Sequence, residues 1–372
     1  MSRHNFLTLL TCCVFLSSIF SSQSYAWDYP PTRFDFTDDK IHYINVNPEE
    51  LSDSFLVESN GQYLLVDTSN PDLSTGGAQA IADDTANVNA VIRYLDVLGI
   101  SSLDYVVMTH NHSDHIGGIS RLCQEGFIDD DTTVFYRSSD TTLEDITNPD
   151  WENSRYFRLA MNAIKASGAK TICLAQEHMT EYWLQLGDFS IEFLNLDNDQ
   201  DGTVDFDYEN ENNNSIVLMV TKGTVDTLLS ADIEQEVEQA LVQQLGEVEV
   251  LKVPHHGIRT SSSYEFLKAL QPETTIITAY GYSQFGAYEY LQSIGTDIYT
   301  TGCCTESAIV ELVMDDHYEI QGAAELALSA EEGWHTWLNH DYYVENGQVL
   351  RDVWKRISGS WYYFNDDGIM QF

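Results

Sequence analysis

The segment that most constrains the fold of this chain is THNHSDHIGG at positions 109–118, which directly follows the apolar run DYVVM. It holds three of the chain's eleven histidines and an aspartate within six residues. On an extended backbone the side chains alternate, so His110, His112 and Asp114 point to one side of the loop and His115 to another. One short loop can therefore present ligands to two neighbouring points. Because imidazole and carboxylate groups bind zinc and similar divalent metals, the segment predicts a metal cluster at the end of a buried strand.

Two later segments offer the further ligands that such a cluster needs. Asp232 follows the apolar strand pattern DTLLSA, and His255 and His256 follow a strand pattern in LKVPHHG. An aspartate before a helix is commonly its N-cap, which is the alternative role for Asp232. A single histidine is more often structural, but a His-His-Gly turn directly after a strand favours metal binding. We therefore expect all three side chains to lie beside the cluster.

The order of apolar patterns along the chain is typical of a layered α/β fold. Consecutive strands are predicted at Ile41–Val46, Ser54–Glu58 and Tyr63–Thr68, followed by a helix at Val88–Leu98. Strands paired in series and then interleaved with helices indicate an α/β domain whose chemistry lies in loops at strand ends. The later strands are predicted at Ser190–Leu196, Ser215–Thr221, Asp226–Ala231, Val248–Val253, Thr275–Ala279 and Ala308–Met314, and helices near 152–167, 233–245, 263–270 and 285–293.

Residues 1–26 have the layout of a secretory signal peptide. Arg3 precedes an apolar run, and the small-residue pattern Ser24-Tyr25-Ala26 predicts cleavage before Trp27. No later segment reaches the roughly 18 apolar residues that a membrane-spanning helix needs. We therefore expect a secreted mature protein without a transmembrane segment. The cysteines that remain in it allow either disulfides or buried free thiols; they are Cys123, Cys173, Cys303 and Cys304.

The charge balance of the chain is strongly acidic. It has 17 basic and 59 acidic residues, which gives a formal net charge of −42. Binding to nucleic acid depends on Lys and Arg that neutralise phosphates, so we expect no nucleic-acid partner. Such a surface suits cationic groups or metal ions, and halophilic adaptation is the alternative explanation.

Residues 333–372 differ in composition from the rest of the chain and repeat themselves. Trp334 recurs as Trp354, and the pair Tyr342-Tyr343 recurs as Tyr362-Tyr363. A period of about 20 residues with a turn dipeptide in each copy is typical of a repeat. The sequence therefore predicts a short tail of two β-hairpin repeats.

The aromatic residues of this tail suggest a ligand. Rings from adjacent hairpins can form a box that holds a quaternary ammonium by cation–π attraction, whereas ordinary cross-strand packing is the alternative. The segment GSWYYFNDDGIM at positions 359–370 resembles the cell-wall choline-binding repeat. That resemblance implies choline-binding side chains at Trp334, Tyr342, Tyr343, Trp354, Trp361, Tyr362 and Tyr363.

The pattern H-x-H-x-D-H followed by Gly-Gly, with a later strand-terminal Asp and His, resembles the metallo-β-lactamase superfamily. The resemblance implies an αββα sandwich with two zinc or similar divalent ions in the groove between its halves. It also implies that Asp67, in LLVDTS, contacts the metal ligands without binding the metal itself. The expected domain spans residues 27–322 and is joined to the tail by a linker at 323–332. Its metal ligands would be His110, His112, Asp114, His115, Asp232 and His256.

One departure from the superfamily pattern bears on the activity. Most members carry a further histidine in the loop that here reads ENENNNS, at positions 209–215. This chain has Asn214 and Ser215 there, which we expect to support the site rather than bind metal. Superfamily branches that lack this histidine act on phosphate esters or nucleic acid. We therefore expect one metal to have fewer protein ligands and the chain to lack β-lactamase activity.

Two branches share the Asn-Ser and His-His patterns. The PHHG turn and the serine run after it resemble the lactamase-like domain of competence-related DNA uptake proteins. The segments IHYINV, LVESNGQYLLVDT and ENNNSI resemble the secreted choline-binding phosphorylcholine esterases more closely. The tail favours the second branch, and so does the acidic charge.

The resemblance to the esterases implies a phosphodiesterase that releases phosphocholine from a choline-bearing cell-wall or membrane glycopolymer. His110 and His112 would hold one zinc ion, and Asp232 would bridge both; the other ion would be held by Asp114, His115 and His256. His255 would contact a phosphoryl oxygen or orient the site. The alternatives are a general extracellular phosphodiesterase or nuclease, and a choline-binding surface protein without activity.

A second metal site is suggested by DNDQDGTVDFDY, which begins like an EF-hand calcium loop. Asp197, Asp199, Asp201 and Asp205 fall at ligand positions of such a loop, but its twelfth place is Tyr208 instead of Glu. A solvated acidic loop is the alternative to calcium binding.

Overall fold

The computed structural model describes residues 39–46, 52–71, 87–137, 151–174, 181–198, 201, 204–205, 207, 209–278, 291, 294–301, 307–321, 332–337, 340–346, 348–350, 352–365 and 370–371. The predicted signal peptide at 1–26 and the linker positions 323–331 lie outside these residues. The predicted linker therefore stays a prediction.

The described residues include two of the four cysteines that lie outside the predicted signal peptide. Cys123 and Cys173 are partly buried free thiols, whereas Cys303 and Cys304 fall outside the described residues. Within the described ranges, no helix combines the length and apolar character that crossing a membrane requires.

One half of the fold is a sheet that has eight strands over the described residues. Its central strands are apolar on both faces: in the strand that precedes the histidine cluster, Val107 faces one core while Val106 and Met108 face another. Strands covered on both sides need such continuous apolar runs. In order across the sheet, the strands are β15 (His317–Gln321), β14 (Ala308–Met314), β1 (Lys40–Tyr43), β2 (Phe55–Ser59), β3 (Gln62–Val66), β4 (Tyr105–Met108), β5 (Thr133–Tyr136) and β6 (Lys170–Cys173).

The other half is a sheet of seven strands, again counted over the described residues. In order across the sheet, the strands are β13 (Asp297–Thr300), β12 (Thr274–Ile277), β11 (Val250–Lys252), β10 (Val225–Leu229), β9 (Val217–Lys222), β8 (Phe189–Leu194) and β7 (Tyr182–Leu186). The strands from β10 to β13 run parallel, and those from β7 to β10 run antiparallel.

The two sheets pack face to face, and helices cover their outer faces. Leu218 and Leu229 of the second sheet share one buried core with Val107 of the first. The helices on the first sheet are α1 (Asn87–Leu98), α3 (Ile119–Glu125) and α4 (Trp151–Ser167), and those on the second are α5 (Gln235–Leu241) and α6 (Tyr264–Leu270). A single turn, α2 (Ser113–Ile116), lies in the loop after β4. The predicted αββα sandwich is therefore confirmed.

The tail strands form sheets of their own. They are β16 (Gly333–Trp337), β17 (His340–Glu345), β18 (Gln348–Val349), β19 (Val353–Ile357) and β20 (Ser360–Phe364). Over the described residues, β16 to β18 make a three-stranded sheet, and β19 and β20 make a two-stranded one. The predicted C-terminal hairpins are thus confirmed.

Candidate metal centre

The histidine loop leaves the end of β4 and is pressed against the segment that follows β3. The backbone N–H of Thr68 donates to the carbonyl of His115 at 2.6 Å, and the N–H of Gly118 donates to the carbonyl of Ser69 at 3.1 Å. A Cβ at Gly118 would lie 2.3 Å from the carbonyl oxygen of Thr68. The Gly-Gly pair is therefore required by close backbone approach, and this approach turns the loop toward the groove.

The second sheet brings its polar residues to the same edge of the sandwich. Asp232 follows β10, and the His255-His256 turn follows β11 with left-handed φ angles of 48° and 54°. The backbone N–H of His255 donates to the carbonyl of Ala231 at 3.0 Å, which joins the two segments. The alternative role of Asp232 as a helix cap is wrong, because α5 begins at Gln235 and its N-cap is Glu234.

His110 and His112 form one side of the cluster. Nε2 of His110 lies 3.0 Å from Nδ1 of His112, so the two nitrogens face a common point. Burial, followed by the nearby His115, lowers the pKa of His110 well below its ordinary value, and burial also lowers the pKa of His112. Both rings are therefore neutral and each can offer a lone pair.

Asp232 lies at the centre of the other side. Its Oδ2 atom is 3.2 Å from Nε2 of His115 and 3.4 Å from Nε2 of His256. Oδ2 of Asp114 is 3.8 Å from each of the same two nitrogens. Two imidazoles and two carboxylates thus converge on one small volume.

The hydrogen bonds of these two rings leave both Nε2 atoms directed at the carboxylates. Nδ1 of His115 donates to Asp67 at 2.7 Å, and Nδ1 of His256 donates to the carbonyl of Thr278 at 2.9 Å. In a neutral ring the proton is then on Nδ1, and the Nε2 lone pair would face the Asp232 carboxylate. Both Nε2 atoms are buried and make no well-formed hydrogen bond with any described residue. The donor set therefore fits a divalent metal.

The electrostatics of the cluster lead to the same conclusion. Burial alone would lower the pKa of His256, but Asp232 and Asp53 raise it to about 10. The pKa of His115 is likewise raised well above its usual value, because Asp232, Asp67 and Asp114 outweigh burial. Buried carboxylates at this position therefore require compensating positive charge.

Of the three residues expected to contact the metal ligands, Asp67 and Ser215 do so and Asn214 does not. Asp67 contacts His115, as described above, and Ser215 Oγ lies 3.3 Å from Nδ1 of His110 and accepts from the Asp232 backbone N–H at 3.3 Å. Asn214 contacts none of the candidate ligands in the structure's hydrogen bonds. Its amide donates to the carbonyl of Asp207 at 2.8 Å and so holds the loop.

Sequence reasoning missed three residues of this site. Asp53 belongs to a set of four groups with His115, Asp232 and His256 whose ligand atoms lie within 4.8 Å of one another. Lys252 is fully buried and lies 3.3 Å from Oδ1 of Asp232. An aspartate before a strand and a lysine within one carry no sequence signal, since only the assembled sheets bring them together.

Glu234 is the third missed residue, and it holds His255. Oε1 of Glu234 lies 3.4 Å from Nδ1 of His255, and Thr260 Oγ1 lies 3.0 Å from the same nitrogen. Burial would raise the pKa of Glu234, but hydrogen bonds from His255, Asn212 and Asn210 lower it to about 2. Nε2 of His255 therefore turns toward Asp232, 3.6 Å from Oδ2.

The candidate calcium loop is only partly described. The N–H of Asp201 donates to Asp197 Oδ1 at 3.1 Å, and the N–H of Asn198 donates to Asp205 Oδ2 at 2.7 Å. Asp199 lies outside the described residues. Calcium binding stays a prediction.

The tail gathers aromatic rings from both hairpins. Trp334 packs against Tyr343 of its own hairpin, with ring centroids 5.2 Å apart, and against Tyr362 of the next, at 4.8 Å. Trp354 packs against Tyr363 at 5.3 Å. Trp361 is 61% exposed, and the side chain of Tyr342 lies outside the described residues. Their role in binding choline stays a prediction.

Comparisons with known proteins found matches to two family models and to solved structures. Residues 47–130 match the family model of the metallo-beta-lactamase superfamily, and residues 354–370 match that of a cell wall binding repeat. The metallo-beta-lactamase fold protein YhfI from Bacillus subtilis is similar over 70% of this chain and 95% of its own, at 14% identity and a TM-score of 0.41.

Two curated relatives match longer stretches of this chain than the family models do. ComE operon protein 3 of Bacillus subtilis (strain 168) is 27% identical over 191 residues, 51% of this chain and 21% of that protein. Competence protein ComA of Neisseria gonorrhoeae is 26% identical over 242 residues, 64% of this chain and 26% of that protein. The match thus spans a minor part of either relative's length. This chain has the metallo-β-lactamase fold, and the donor set of its cluster fits a divalent metal.

Proposed function

We propose that this chain is a secreted, zinc-dependent phosphodiesterase that releases phosphocholine from a choline-bearing glycopolymer. The observation that carries the hydrolytic part is the convergence of Oδ2 of Asp114 and Oδ2 of Asp232 on Nε2 of His115 and Nε2 of His256. We assign one metal to that group, a second to His110 and His112, and a bridging role to Asp232. Bound divalent ions would lower the pKa of a water molecule to about 7 and stabilise negative charge on phosphoryl oxygens.

His255 is a side chain of this site that could meet the substrate. It lies at the edge of the cluster with 15% of its side chain exposed, whereas Asp232 beneath it is buried. Because Glu234 and Thr260 hold Nδ1, Nε2 faces the cluster and is placed to contact the phosphoryl group or to orient the site. In the reaction a water oxygen would add to phosphorus while the bond from phosphorus to the polymer oxygen breaks. The polymer oxygen would take up a proton that the water gives up, so that the polymer leaves as an alcohol. No protein nucleophile is needed.

The choline part of the proposal is supported by the tail and by charge. The match to a cell wall binding repeat at residues 354–370 indicates attachment to a cell-wall polymer. A quaternary ammonium is attracted to aromatic faces and to carboxylates, and the net charge of −42 favours a cationic group. On this proposal the tail holds the chain on the polymer that its metal centre cuts.

The curated relatives support a second candidate, a phosphodiesterase of the competence-protein type. ComE operon protein 3 and competence protein ComA are 27% and 26% identical to this chain over 191 and 242 residues. The acidic charge speaks against a polyanionic substrate, because no excess of Lys and Arg is available to neutralise phosphates.

The two candidates are separated by substrate preference. Zinc-loaded protein should hydrolyse an aryl ester of phosphocholine faster than an aryl ester of thymidine phosphate at matched salt. Asp232→Ala should abolish both activities, since it removes the proposed bridging group. Cleavage of DNA without turnover of the choline ester would reverse the ranking, and protein that binds no divalent metal would refute both candidates.

A further inference from the structure

A buried ion pair lies directly behind the candidate metal ligands, and the proposed hydrolysis does not use it. Nζ of Lys252 is 2.5 Å from Oδ2 of Asp53, and neither side chain has any exposed surface. Lys252 is on β11 of the second sheet, whereas Asp53 precedes β2 of the first. The pair therefore joins the two sheets at the base of the groove.

The lysine ammonium has three N–H donors and three oxygens around it. Besides Asp53, these are the carbonyl of Ala231 at 2.7 Å and Oδ1 of Asp232 at 3.3 Å. Lys252 therefore occupies one oxygen of the Asp232 carboxylate. The other oxygen, Oδ2, is the one that faces Nε2 of His256 and the rest of the cluster.

Asp53 contacts the ligand-bearing segments on its other side. Its Oδ1 atom lies 3.4 Å from Nδ1 of His256, the ring nitrogen that points away from the cluster. Its backbone N–H donates to the carbonyl of Asp114 at 3.3 Å. Asp53 thus reaches the loops that carry two candidate ligands, and through Lys252 it reaches a third, Asp232.

We infer that the Asp53–Lys252 pair is a positioning device that turns Oδ2 of Asp232 and Nε2 of His256 toward the metal. Burying two charges costs free energy that their attraction does not always repay, and apolar side chains of similar size often serve stability as well. Stability alone therefore does not account for this fully buried pair. Its direct contacts to Asp232 and His256 do, because they can orient these two candidate ligands. This inference rests on the proposed metal centre and is independent of the proposed substrate.

The chain contains a matched control for this pair. Lys222 and Asp39 form another buried ion pair, with Nζ and Oδ2 2.5 Å apart. In the antiparallel register of β9 and β10, Lys222 lies opposite Val225, at the end of β10 farthest from Asp232. A buried lysine can therefore be removed from the same sandwich without touching the cluster.

The test is cobalt(II) binding by the purified full chain, followed by chelator competition and by the visible absorption spectrum. Lys252→Met should bind cobalt about 10- to 100-fold more weakly, as is usual when a residue that orients a ligand is removed, and its spectrum should change. The double variant Asp53→Asn/Lys252→Met leaves no unpaired buried charge and should show the same defect. Lys222→Met should lower the thermal midpoint but keep the wild-type cobalt affinity and spectrum.

Each other outcome overturns a specific statement. A double variant with wild-type affinity and spectrum would show that the pair only supports packing. Asp53→Asn alone keeps the shape of the side chain and an acceptor oxygen for Lys252, so it should give a smaller loss of affinity. If that variant equals the wild type, Asp53 does not position ligands. Wild-type protein that binds no cobalt would refute the metal centre itself and leave the pair without a metal to serve.

Discussion

Asp67 accepts three hydrogen bonds although it has no exposed surface. The backbone N–H and the hydroxyl of Thr109 donate to it at 2.9 and 2.7 Å, and Nδ1 of His115 donates at 2.7 Å. Burial raises the pKa of Asp67 more than these contacts lower it. Its physical role at the residue scale is to keep the proton of His115 on Nδ1, so that Nε2 faces the cluster.

Replacing this carboxylate should weaken metal binding without removing a ligand. Asp67→Ala is expected to reduce zinc affinity about 10- to 100-fold, measured by competition with a chromogenic chelator. Asp104→Ala is the control, since Asp104 binds the backbone N–H of Tyr63 at 2.8 Å beside the start of β4, away from the cluster. Equal zinc affinities for both variants would contradict the role assigned to Asp67.

At the scale of elements, the loop after β4 depends on how closely it approaches the segment after β3. A methyl group at Gly118 would collide with backbone atoms of Thr68 and with the side chain of Val88, at 2.3 and 2.6 Å. Gly118→Ala should therefore lower the free energy of unfolding by about 1–3 kcal/mol in urea titrations. Gly246→Ala, where a Cβ meets nothing within 4 Å, should change it by less than about 0.5 kcal/mol. Similar unfolding free energies for the two variants would show that the loop can shift to make room for a methyl group at position 118.

Helix α5 carries a buried carboxylate that ties it to the start of α6. Glu238 is fully buried and accepts from the backbone N–H groups of Ser262 and Ser263. Burial raises the pKa of Glu238 to about 7, although these hydrogen bonds oppose the shift. The folded state then binds the proton more tightly than the unfolded chain. The contribution to stability is full below about pH 4.5 and is lost as the pH rises toward 7.

The expected result is a difference in pH slope between variants. From pH 4.5 to 7, the wild type should lose up to about 3 kcal/mol of unfolding free energy relative to Glu238→Gln, measured by urea unfolding at each pH. Glu236→Gln, an exposed position on the same helix, should follow the wild-type curve. A Glu238→Gln curve parallel to that of the wild type would show that Glu238 stays ionised throughout.

The sequence predicts elements well where their apolar period is long. The helix predicted at Val88–Leu98 corresponds to α1, and the strand predicted at Asp226–Ala231 overlaps β10. The four-residue strands β5 and β6 were not predicted, because TVFY and KTIC are too short to show a period. The helix predicted near 285–293 lies largely outside the described residues.

The residues of the candidate site also fall into those that the sequence predicts and those that it does not. Its candidate ligands could be predicted because they cluster in short motifs at strand ends. Asp53 and Lys252 could not, because their contact depends on the pairing of Leu229 with Lys252 and on the packing of one sheet against the other. No local sequence pattern indicates a contact between two residues that are so far apart in the chain.

At the scale of the whole molecule, the proposed function has two parts: the sandwich carries out hydrolysis, and the tail binds the polymer. Among the described residues, no tail strand pairs with either large sheet. The aromatic group of the tail combines Trp334 and Tyr343 with Tyr362 and Phe364 from the next hairpin. Polymer binding should therefore be separable from catalysis.

Deleting residues 333–372 should abolish retention on a choline-bearing matrix and leave hydrolysis of a small phosphocholine ester within about twofold of wild type. The reason is that the deletion removes the aromatic faces that attract a quaternary ammonium but no strand of the two large sheets. Trp183→Ala is the control: this side chain is 55% exposed on β7, so the variant removes an exposed indole elsewhere and should still be retained. A truncated chain that still binds the matrix would place the choline-binding surface on the sandwich. Loss of ester hydrolysis on truncation, with the thermal midpoint unchanged, would instead show that the tail contributes to the catalytic groove.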